Sequence, residues 1–379
     1  MADLNRLFAP LEGVETANLE IYAVGGAIRD TLLGLSPKDV DFVAVGTTSE
    51  ILLNLGFRQV GKDFPVFLHP KSHAELALAR TERKIKKGHT GFIVHADPLV
   101  SLETDLRRRD FTINAMALSR DGLLIDPYGG QHDLNDRVLR HISPAFSEDP
   151  LRILRCIRFL AQLSMYQFTI STETVEIIQS MSHSLRELSV ERIIVELDKT
   201  LSSTNPAAGL RNLHSLGVTE TLIPDLAIVP DQFMCQSVDA RLGEWILQNK
   251  PTPDCIEYYG KQFRLTNKRV AFLTALIKLK NTDIKDVASC LELMNQLGWL
   301  KGNPPNHRLD ELLMEFDQIQ FVELPITRLF EIRDRLREIT AAQFTEKGIF
   351  GKRLGEAIHA ERLKVLSTEI SAPGTAPGL

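Results

Sequence analysis

The chain has 379 residues, 44% of them hydrophobic and 25% charged, with a net charge of -5 at neutral pH. Such a length buries a sizeable core in more than one domain, and no run approaches the roughly eighteen apolar residues of a membrane span. The acidic balance excludes a protein coated with positive charge but leaves room for local nucleic-acid patches.

"MADLNRLFAPLEGVE" lacks a basic flank followed by an apolar stretch, so no export signal is expected. Residues 20 to about 125 read as mixed α/β. "EIYAV" and "VDFVAVG" are strand-like, "FPVFLHP" and "AELALARTE" suggest a hairpin, and "GLLIDPY" is a further short strand. Between the first two strands, "AIRDTLLGL" is a short amphipathic helix ended by Gly34 and Pro37. From about Pro144 the strand signals fade. "SEDPLRILRCIRFLAQL", "TVEIIQSMSHSLREL", "VERIIVELDKTL" and "LTNKRVAFLTALIKLK" space their apolar residues as helices do. The tail "STEISAPGTAPGL" has a disordered composition. Cys156, Cys235, Cys255 and Cys290 lie far apart with no CxxC pair, which suits reduced thiols in the cytoplasm better than zinc ligands or disulfides.

The stretch "VGGAIRDTLLGLSPKDVDFVAVG" carries the first chemical signal. Gly25 and Gly26, between a strand and a helix, let the backbone approach a ligand, and a helix N-terminus favours an anion. Arg29, one turn into that helix, is placed to clamp a phosphate. Asp39 and Asp41, two apart on an expected strand, leave the same face and form an oxygen-rich site for a hard cation such as Mg²⁺. A triphosphate beside such metal ions is the minimum equipment for nucleotidyl transfer.

"LRRRDFTINAMAL" places three arginines and an aspartate before a short helical segment, and "DPYGGQHDL" is a turn-rich linker. In "SEDPLRILRCIRF", Ser147 is a candidate helix cap, and Glu148 and Asp149 suit the positive helix end. Arg152, Arg155 and Arg158 form a ridge stepping by three, with Leu151, Leu154 and Phe159 on the opposite, packing face. Such a ridge is commonly a solvated surface; here it is left able to meet a ligand.

Together these stretches resemble the class II tRNA nucleotidyltransferases and poly(A) polymerases, specifically the bacterial CCA-adding branch. "GGAIRDTLLG...PKDVDFV", "RRDFTINAMA", "DPYGGQHDL" and "EDPLRILRCIRF" stand in that family's order, and "GIFGKRLGEAIHAERLKVL" is similar to its closing helix. The resemblance implies an α+β protein: a polymerase-beta-like head over residues 1–143 and a helical neck for base recognition over 144–205. A helical, tRNA-binding body and tail would follow over 206–365, then a disordered terminus, 366–379. The implied activity is template-independent rebuilding of the 3′ CCA of tRNA from CTP and ATP. Under it, Asp39 and Asp41 would hold Mg²⁺. Gly26, Arg29, Arg109, Arg155 and Arg158 would bind the nucleotide, chiefly its phosphates, with Gly25 in the same turn. Asp110 would contact the ribose, and Asp149 with Arg152 would read the base.

"RTERKIKKGHTGFIVHADPLV" supplies a full segment where relatives that add only C lack a working flexible loop, which favours complete CCA addition. An A-adding specialist, a poly(A) polymerase and a silent RNA-binding protein on the same fold stay open. After residue 225 only His307 and His359 are available, too few for an attached metal phosphohydrolase. Residues 261–301 hold eight basic residues (Lys261, Arg264, Lys268, Arg269, Lys278, Lys280, Lys285 and Lys301) against three acidic ones. That excess suits a surface that tracks RNA phosphates, with solvated helix faces as the equal alternative. No membrane and no obligate protein partner are expected.

Overall fold

The computed structural model describes residues 4–16, 18–61, 66–84, 92–249, 251–284, 286–301, 307–319, 322 and 324–370. The chain divides into two compact units, Met1–Pro224 and Asp225–Leu379. The positions 143 and 205 both fall inside the first unit.

The first unit begins with β1 (Glu20–Val24), α1 (Gly26–Leu32), β2 (Asp41–Val45), α2 (Ser49–Asn54), β3 (Arg58–Val60), β4 (Val66–Leu68) and β5 (Glu75–Leu78). It continues through β6 (Arg80–Lys84), β7 (Phe92–Ala96), α3 (Leu102–Arg107), β8 (Ala117–Ser119) and β9 (Leu124–Ile125). Seven of these strands form one mixed sheet in the order β3-β4-β5-β2-β1-β8-β9. β1 lies antiparallel to β2 and β8, while β2 runs parallel to β5. β4 and β5 pair antiparallel, as the hairpin pattern predicts. Val24, Val43, Ala79, Leu102, Leu106, Ala115 and Ala117 form a core cluster under the sheet. Phe42, 1% exposed, packs near Phe8 of the N-terminal 3-10 turn with centroids 5.6 Å apart. Burial of rings of this size contributes about 3–5 kcal/mol each against truncation to alanine. The sheet therefore holds the turn after β1 and the start of β2 in fixed register, side by side. Within the segment expected as a flexible loop, β6 and β7 form a separate antiparallel hairpin, and residues 85–91 lie outside the described residues.

Then come α4 (Gly130–Asn135), β10 (Val138–Leu139), α5 (Leu151–Gln162), β11 (Thr169–Ile170), α6 (Thr172–Met181) and α7 (Val190–Leu201). Short helices α8 (Pro206–Leu210), α9 (Asn212–Ser215) and α10 (Val218–Leu222) close the unit. The region is not wholly helical, because β11 pairs in parallel with β10. α5 buries Ile153, Leu154, Ile157 and Leu160. Gly209 of α8 lets that helix approach α5 closely; a Cβ there would lie 2.3 Å from the Ile157 carbonyl oxygen.

The second unit contains α11 (Val238–Gln248), α12 (Pro253–Gln262), α13 (Asn267–Asn281), α14 (Val287–Gln296), α15 (His307–Met314), α16 (Ile326–Arg337), α17 (Ala342–Thr345) and α18 (Lys352–Ile370). α13 buries Phe272, Leu273, Ala275, Leu276, Ile277 and Leu279, the many-sided apolar pattern of a central helix. Gly243 of α11 fits against it, since a Cβ would stand 2.6 Å from Leu276 Cδ2. Helical structure reaches Ile370, past position 365, and residues 371–379 lie outside the described residues. No described helix is long and apolar enough to cross a membrane.

Candidate active site

Gly25 sits between β1 and α1 with φ +77°, and a Cβ on it would stand 2.9 Å from Arg109 Nη1. Both facts demand glycine: the backbone region is closed to most L-residues, and the guanidinium needs the space. The Gly25→Ala variant should lose about 1–3 kcal/mol of stability and displace Arg109. A lowered Tm together with weaker triphosphate binding in titration calorimetry checks this. An unchanged Kd would mean that the turn is only structural.

Gly25, Gly26, Arg29, Asp41, Arg109, Asp110, Asp149, Arg152, Arg155 and Arg158 all line one cleft of about 460 Å³. Arg108, Asn114, Phe159 and Arg192 join them. Seven arginines against three aspartates give the cleft a positive field suited to a polyphosphate. A continuous network fixes it. Arg29 Nη1 donates to Asn114 Oδ1 at 2.8 Å, Asn114 Nδ2 donates to Asp110 Oδ1 at 3.0 Å, and Arg155 Nε donates to Asp110 Oδ2 at 2.6 Å. Burial alone would raise the Asp110 pKa. Arg155 and hydrogen bonds from Asn114 and the Phe111 N–H outweigh it and hold the carboxyl far below its ordinary value. The Asp110 charge in turn raises Arg155, despite burial.

Arg109 is also cradled by a carboxylate. Asp105 is fully buried and accepts from Arg108 at 2.8 Å and Arg109 at 3.4 Å. Burial lowers the Arg109 pKa, the Asp105 charge opposes that, and Arg109 Nε has no hydrogen-bond partner among the described residues. A buried, unpaired guanidinium donor is a group an anion in the cleft could recruit on a small shift of the side chain.

The ridge on α5 differs from the sequence expectation. Arg158 is only 9% exposed and pairs with Glu196 of α7 at 2.7 Å. Arg152 donates to the backbone carbonyls of Arg108 at 2.5 Å and of Arg109 and Ala145 at 3.3 Å. Asp149 pairs with Arg192 at 2.9 Å. Phe159 does not sit away from the arginines. Arg158, Arg29 and Arg155 lie 4.4, 5.1 and 5.6 Å from its centroid, so the ring serves as a shared cation–π floor. Ser147 caps nothing: its hydroxyl donates to the Pro144 carbonyl, and Pro150 is the N-cap. Asp149 instead accepts the Leu151 N–H at 3.2 Å.

"DPYGGQHDL" proves to be a brace. Asp126 accepts the Gly130 and Gln131 N–H groups at 2.6 and 2.8 Å, starting α4. Thr112 donates to Asp133 at 2.7 Å. A Cβ on Gly130 would stand 2.4 Å from the Thr112 carbonyl oxygen. Through Thr112 the motif supports the turn that carries Asp110 and Asn114.

Asp39 is not on a strand. β2 begins at Asp41, and Asp39 lies in the preceding loop, because the β1–β2 ladder ends at the Val24–Asp41 pair. It lines a neighbouring cleft that Asp41 also borders. Burial raises the Asp41 pKa, the Arg109 charge lowers it, and the Asp39 charge adds to the rise. No hydrogen bond or ion pair to described residues engages either carboxylate, so their oxygens are open. Two such oxygen donors fit a Mg²⁺ ion that completes its shell with water and phosphate. Among the described residues no cluster of three or more His, Cys, Asp or Glu is placed to hold a metal.

In the second unit, Lys261 pairs with Glu257 at 2.6 Å and Arg269 with Asp239 at 2.6 Å. Lys261 and Arg269 are thus engaged by carboxylates of the protein, which turns the local excess charge into a weaker field. Arg264 and Lys268 are exposed, and Lys285 lies outside the described residues.

An arginine-rich cleft on this sheet, with a carboxylate at the first residue of the neighbouring strand, is the equipment a nucleotidyltransferase needs. Residues 21–140 match the poly A polymerase head domain, and residues 167–229 match the probable RNA and SrmB-binding site of polymerase A. A CCA-adding enzyme of Marinobacter nauticus is 39% identical, over 94% of this chain and 100% of its own length. That of Blochmanniella floridana is 40% identical, over 85% of this chain and 72% of its own. The chain belongs to the CCA-adding enzyme family. It spans about half the length of the multifunctional CCA protein of Haemophilus influenzae, at 52% identity. The Bacillus stearothermophilus CCA-adding enzyme in complex with CTP shares the fold, with TM-score 0.66 at 24% identity over 96% of this chain and 92% of that one.

Proposed function

We propose that this chain adds and repairs the 3′-terminal CCA of tRNA in the cytoplasm, using CTP and ATP, without a nucleic-acid template. The terminal RNA hydroxyl attacks the α-phosphorus, the bond to the β-phosphate oxygen breaks, and pyrophosphate leaves. The observation that carries this reading is the cleft in which seven arginines meet three aspartates beside the Gly25–Gly26 turn. Relatives named CCA-adding enzymes supply the product.

Gly25, Gly26, Arg29 and Arg109 receive the triphosphate, and the Asp110–Arg155 pair holds its ribose end. Arg158, anchored by Glu196, adds positive field over Phe159. Asp39 and Asp41 would hold Mg²⁺, which when bound would lower the pKa of the attacking hydroxyl and neutralise the leaving pyrophosphate. Residues 1–143 act as the catalytic head, 144–205 read the base, and 206–365 meet the tRNA through surfaces including Lys261, Arg264, Lys268 and Arg269.

Asp149 and Arg152 select the base. Cytosine and adenine present an amine donor beside a ring-nitrogen acceptor, whereas guanine and uracil present an oxygen acceptor beside an N–H donor. A carboxylate accepts and a guanidinium donates, so the pair matches C and A and leaves G and U with unpaired groups, at about 1–3 kcal/mol each. The Asp149→Ala variant should accept UTP and GTP more readily without losing triphosphate affinity. Arg152→Ala should relax selectivity and also weaken binding, because Arg152 ties down the Arg108–Arg109 backbone. Incorporation efficiencies with all four NTPs measure both effects, and unchanged selectivity in both variants would sink the assignment.

The decisive assay offers tRNA ending at the discriminator base, at C and at CC, with each labelled NTP. Growth that stops after CCA on all three supports the proposal. Extension of the CC end alone marks an A-adding specialist, and continued A addition a poly(A) polymerase. No incorporation with Mg²⁺ present marks a silent RNA-binding protein.

A further inference from the structure

Helix α7 reaches two charged side chains toward α5, one turn apart and with opposite sign. Arg192 Nη2 lies 2.9 Å from Asp149 Oδ2, and Glu196 Oε2 lies 2.7 Å from Arg158 Nε. Arg192 lines the arginine cleft itself, and its side chain and that of Asp149 are 24% and 19% exposed. The other Asp149 oxygen accepts the Leu151 N–H at 3.2 Å. The carboxylate is therefore gripped at both ends, by the first turn of α5 through Oδ1 and by α7 through Oδ2.

We propose that Arg192 is a specificity-determining positioning residue, which holds the Asp149 carboxylate in the plane from which it reads the incoming base. The proposal deepens the base-reading assignment made above and rests on it. A carboxylate offers about four lone-pair directions. Arg192 and the Leu151 N–H occupy one on each oxygen, which leaves a fixed pair of directions for the exocyclic amine of cytosine or adenine. Without Arg192 the carboxylate can rotate about its Cβ–Cγ bond, and it can turn toward Arg152 or solvent. It then meets right and wrong bases with similar, imperfect geometry. Discrimination falls because it depends on leaving the wrong base unpaired, whereas phosphate affinity depends on other arginines.

Glu196 performs a different task from the same helix. It is 3% exposed and holds Arg158, a group assigned to the electrostatic field and not to the base. The two contacts of α7 thus predict two separable phenotypes.

The test compares kcat/KM for CTP, UTP, ATP and GTP on tRNA ending at the discriminator base and at CC. It uses the wild-type chain and the variants Arg192→Ala, Arg192→Lys, Asp149→Ala, Arg192→Ala with Asp149→Ala, and Glu196→Gln. Arg192→Ala should lower the CTP/UTP and ATP/GTP ratios by about tenfold, a discrimination of the order of one hydrogen-bonded group. The KM for CTP and ATP should change less than threefold. Arg192→Lys, which keeps the charge but not the fork geometry, should recover part of each ratio. The double variant should discriminate no worse than Asp149→Ala alone, because Arg192 acts through that carboxylate. Glu196→Gln should weaken all four nucleotides together and leave the ratios intact. A ratio measured within one preparation does not depend on the folded fraction, so a loss of stability cannot imitate the effect. Unchanged ratios in Arg192→Ala, or additive losses in the double variant, overturn the proposal. If Asp149→Ala itself keeps full selectivity, the base-reading assignment falls and this inference falls with it. Lost selectivity in Asp149→Ala but not in Arg192→Ala removes the inference alone.

Discussion

Asp39→Ala and Asp41→Ala should each abolish nucleotide incorporation while leaving the protein folded and able to bind tRNA. Neither side chain has a hydrogen bond or ion pair to a described residue, so neither removal breaks a structural contact. Under the proposed function, by contrast, their oxygens hold cations against the triphosphate. Lost stabilisation of several kcal/mol in the transition state corresponds to a rate loss of about 1,000-fold or more. The pKa of Asp41 sharpens the expectation. Burial raises it above the ordinary aspartate value, with Asp39 adding and Arg109 opposing. A carboxyl raised on folding favours the native state only while protonated, and that contribution is lost as pH rises through its folded value. Asp41 is nevertheless exposed to solvent, so at neutral pH the ionised carboxylate is only a small cost. Asp41→Asn should match or exceed the wild-type Tm at pH 7, and the difference should shrink in acid, while incorporation is lost at every pH. Wild-type-like turnover in both alanine variants would remove these residues from the mechanism.

Asp110→Ala should have the largest effect on stability among the cleft residues. Asp110 is 5% exposed and accepts from Arg155, from Asn114 and from the Phe111 N–H at 2.9 Å. Removing one partner of a buried ion pair leaves the other uncompensated, at about 3–5 kcal/mol. Arg155 is also about one-third exposed, and water reaching it places the expectation at the lower end. The sign with pH is opposite to that of Asp41. The folded Asp110 pKa lies below its unfolded value. Its stabilisation is therefore complete above the unfolded value of about 3.9 and is lost as pH falls toward the folded one. Denaturant unfolding at pH 7 and pH 3 should show a large gap between wild type and Asp110→Ala at neutral pH and a smaller gap in acid. The variant should also bind CTP and ATP poorly, because Arg155 and the Asn114–Arg29 link lose their anchor. A gap that does not change with pH would assign the effect to packing instead of charge.

Much of the head was legible because its signals are local. A glycine pair after an apolar run, an arginine one turn later and an apolar strand with aspartates at its start are readable as neighbours within one stretch of chain. The helices were legible from apolar spacing, as in α5 and α7, because a helix needs only its own residues to place a buried stripe. Where a strand starts was less legible. Asp39 reads as part of the β2 pattern, but Val24 pairs with Asp41 at the end of β1, and the ladder ends there. The brace role of "DPYGGQHDL" was also hidden. Composition marks it as a turn, and only the fold brings Gly130 against Thr112. Arg192 carried no signal that set it apart, apart from its spacing of four from Glu196 on one face of an amphipathic helix.

By itself the sequence determined the order of the motifs, the family to which they belong and the set of side chains available to the cleft. Tertiary structure decided which of those charges have partners. Arg155 finds Asp110, Arg158 finds Glu196 and Arg192 finds Asp149 across sequence separations of 45, 38 and 43 residues. A hydrogen-bonded ion pair forms only within a few ångströms, and which groups come that close follows from how α5 packs on α7 and on the turn before β8. A ridge of three evenly spaced arginines is therefore one feature in the chain but three in the fold: one guanidinium pinned to backbone carbonyls, one holding a buried aspartate and one anchored by a glutamate.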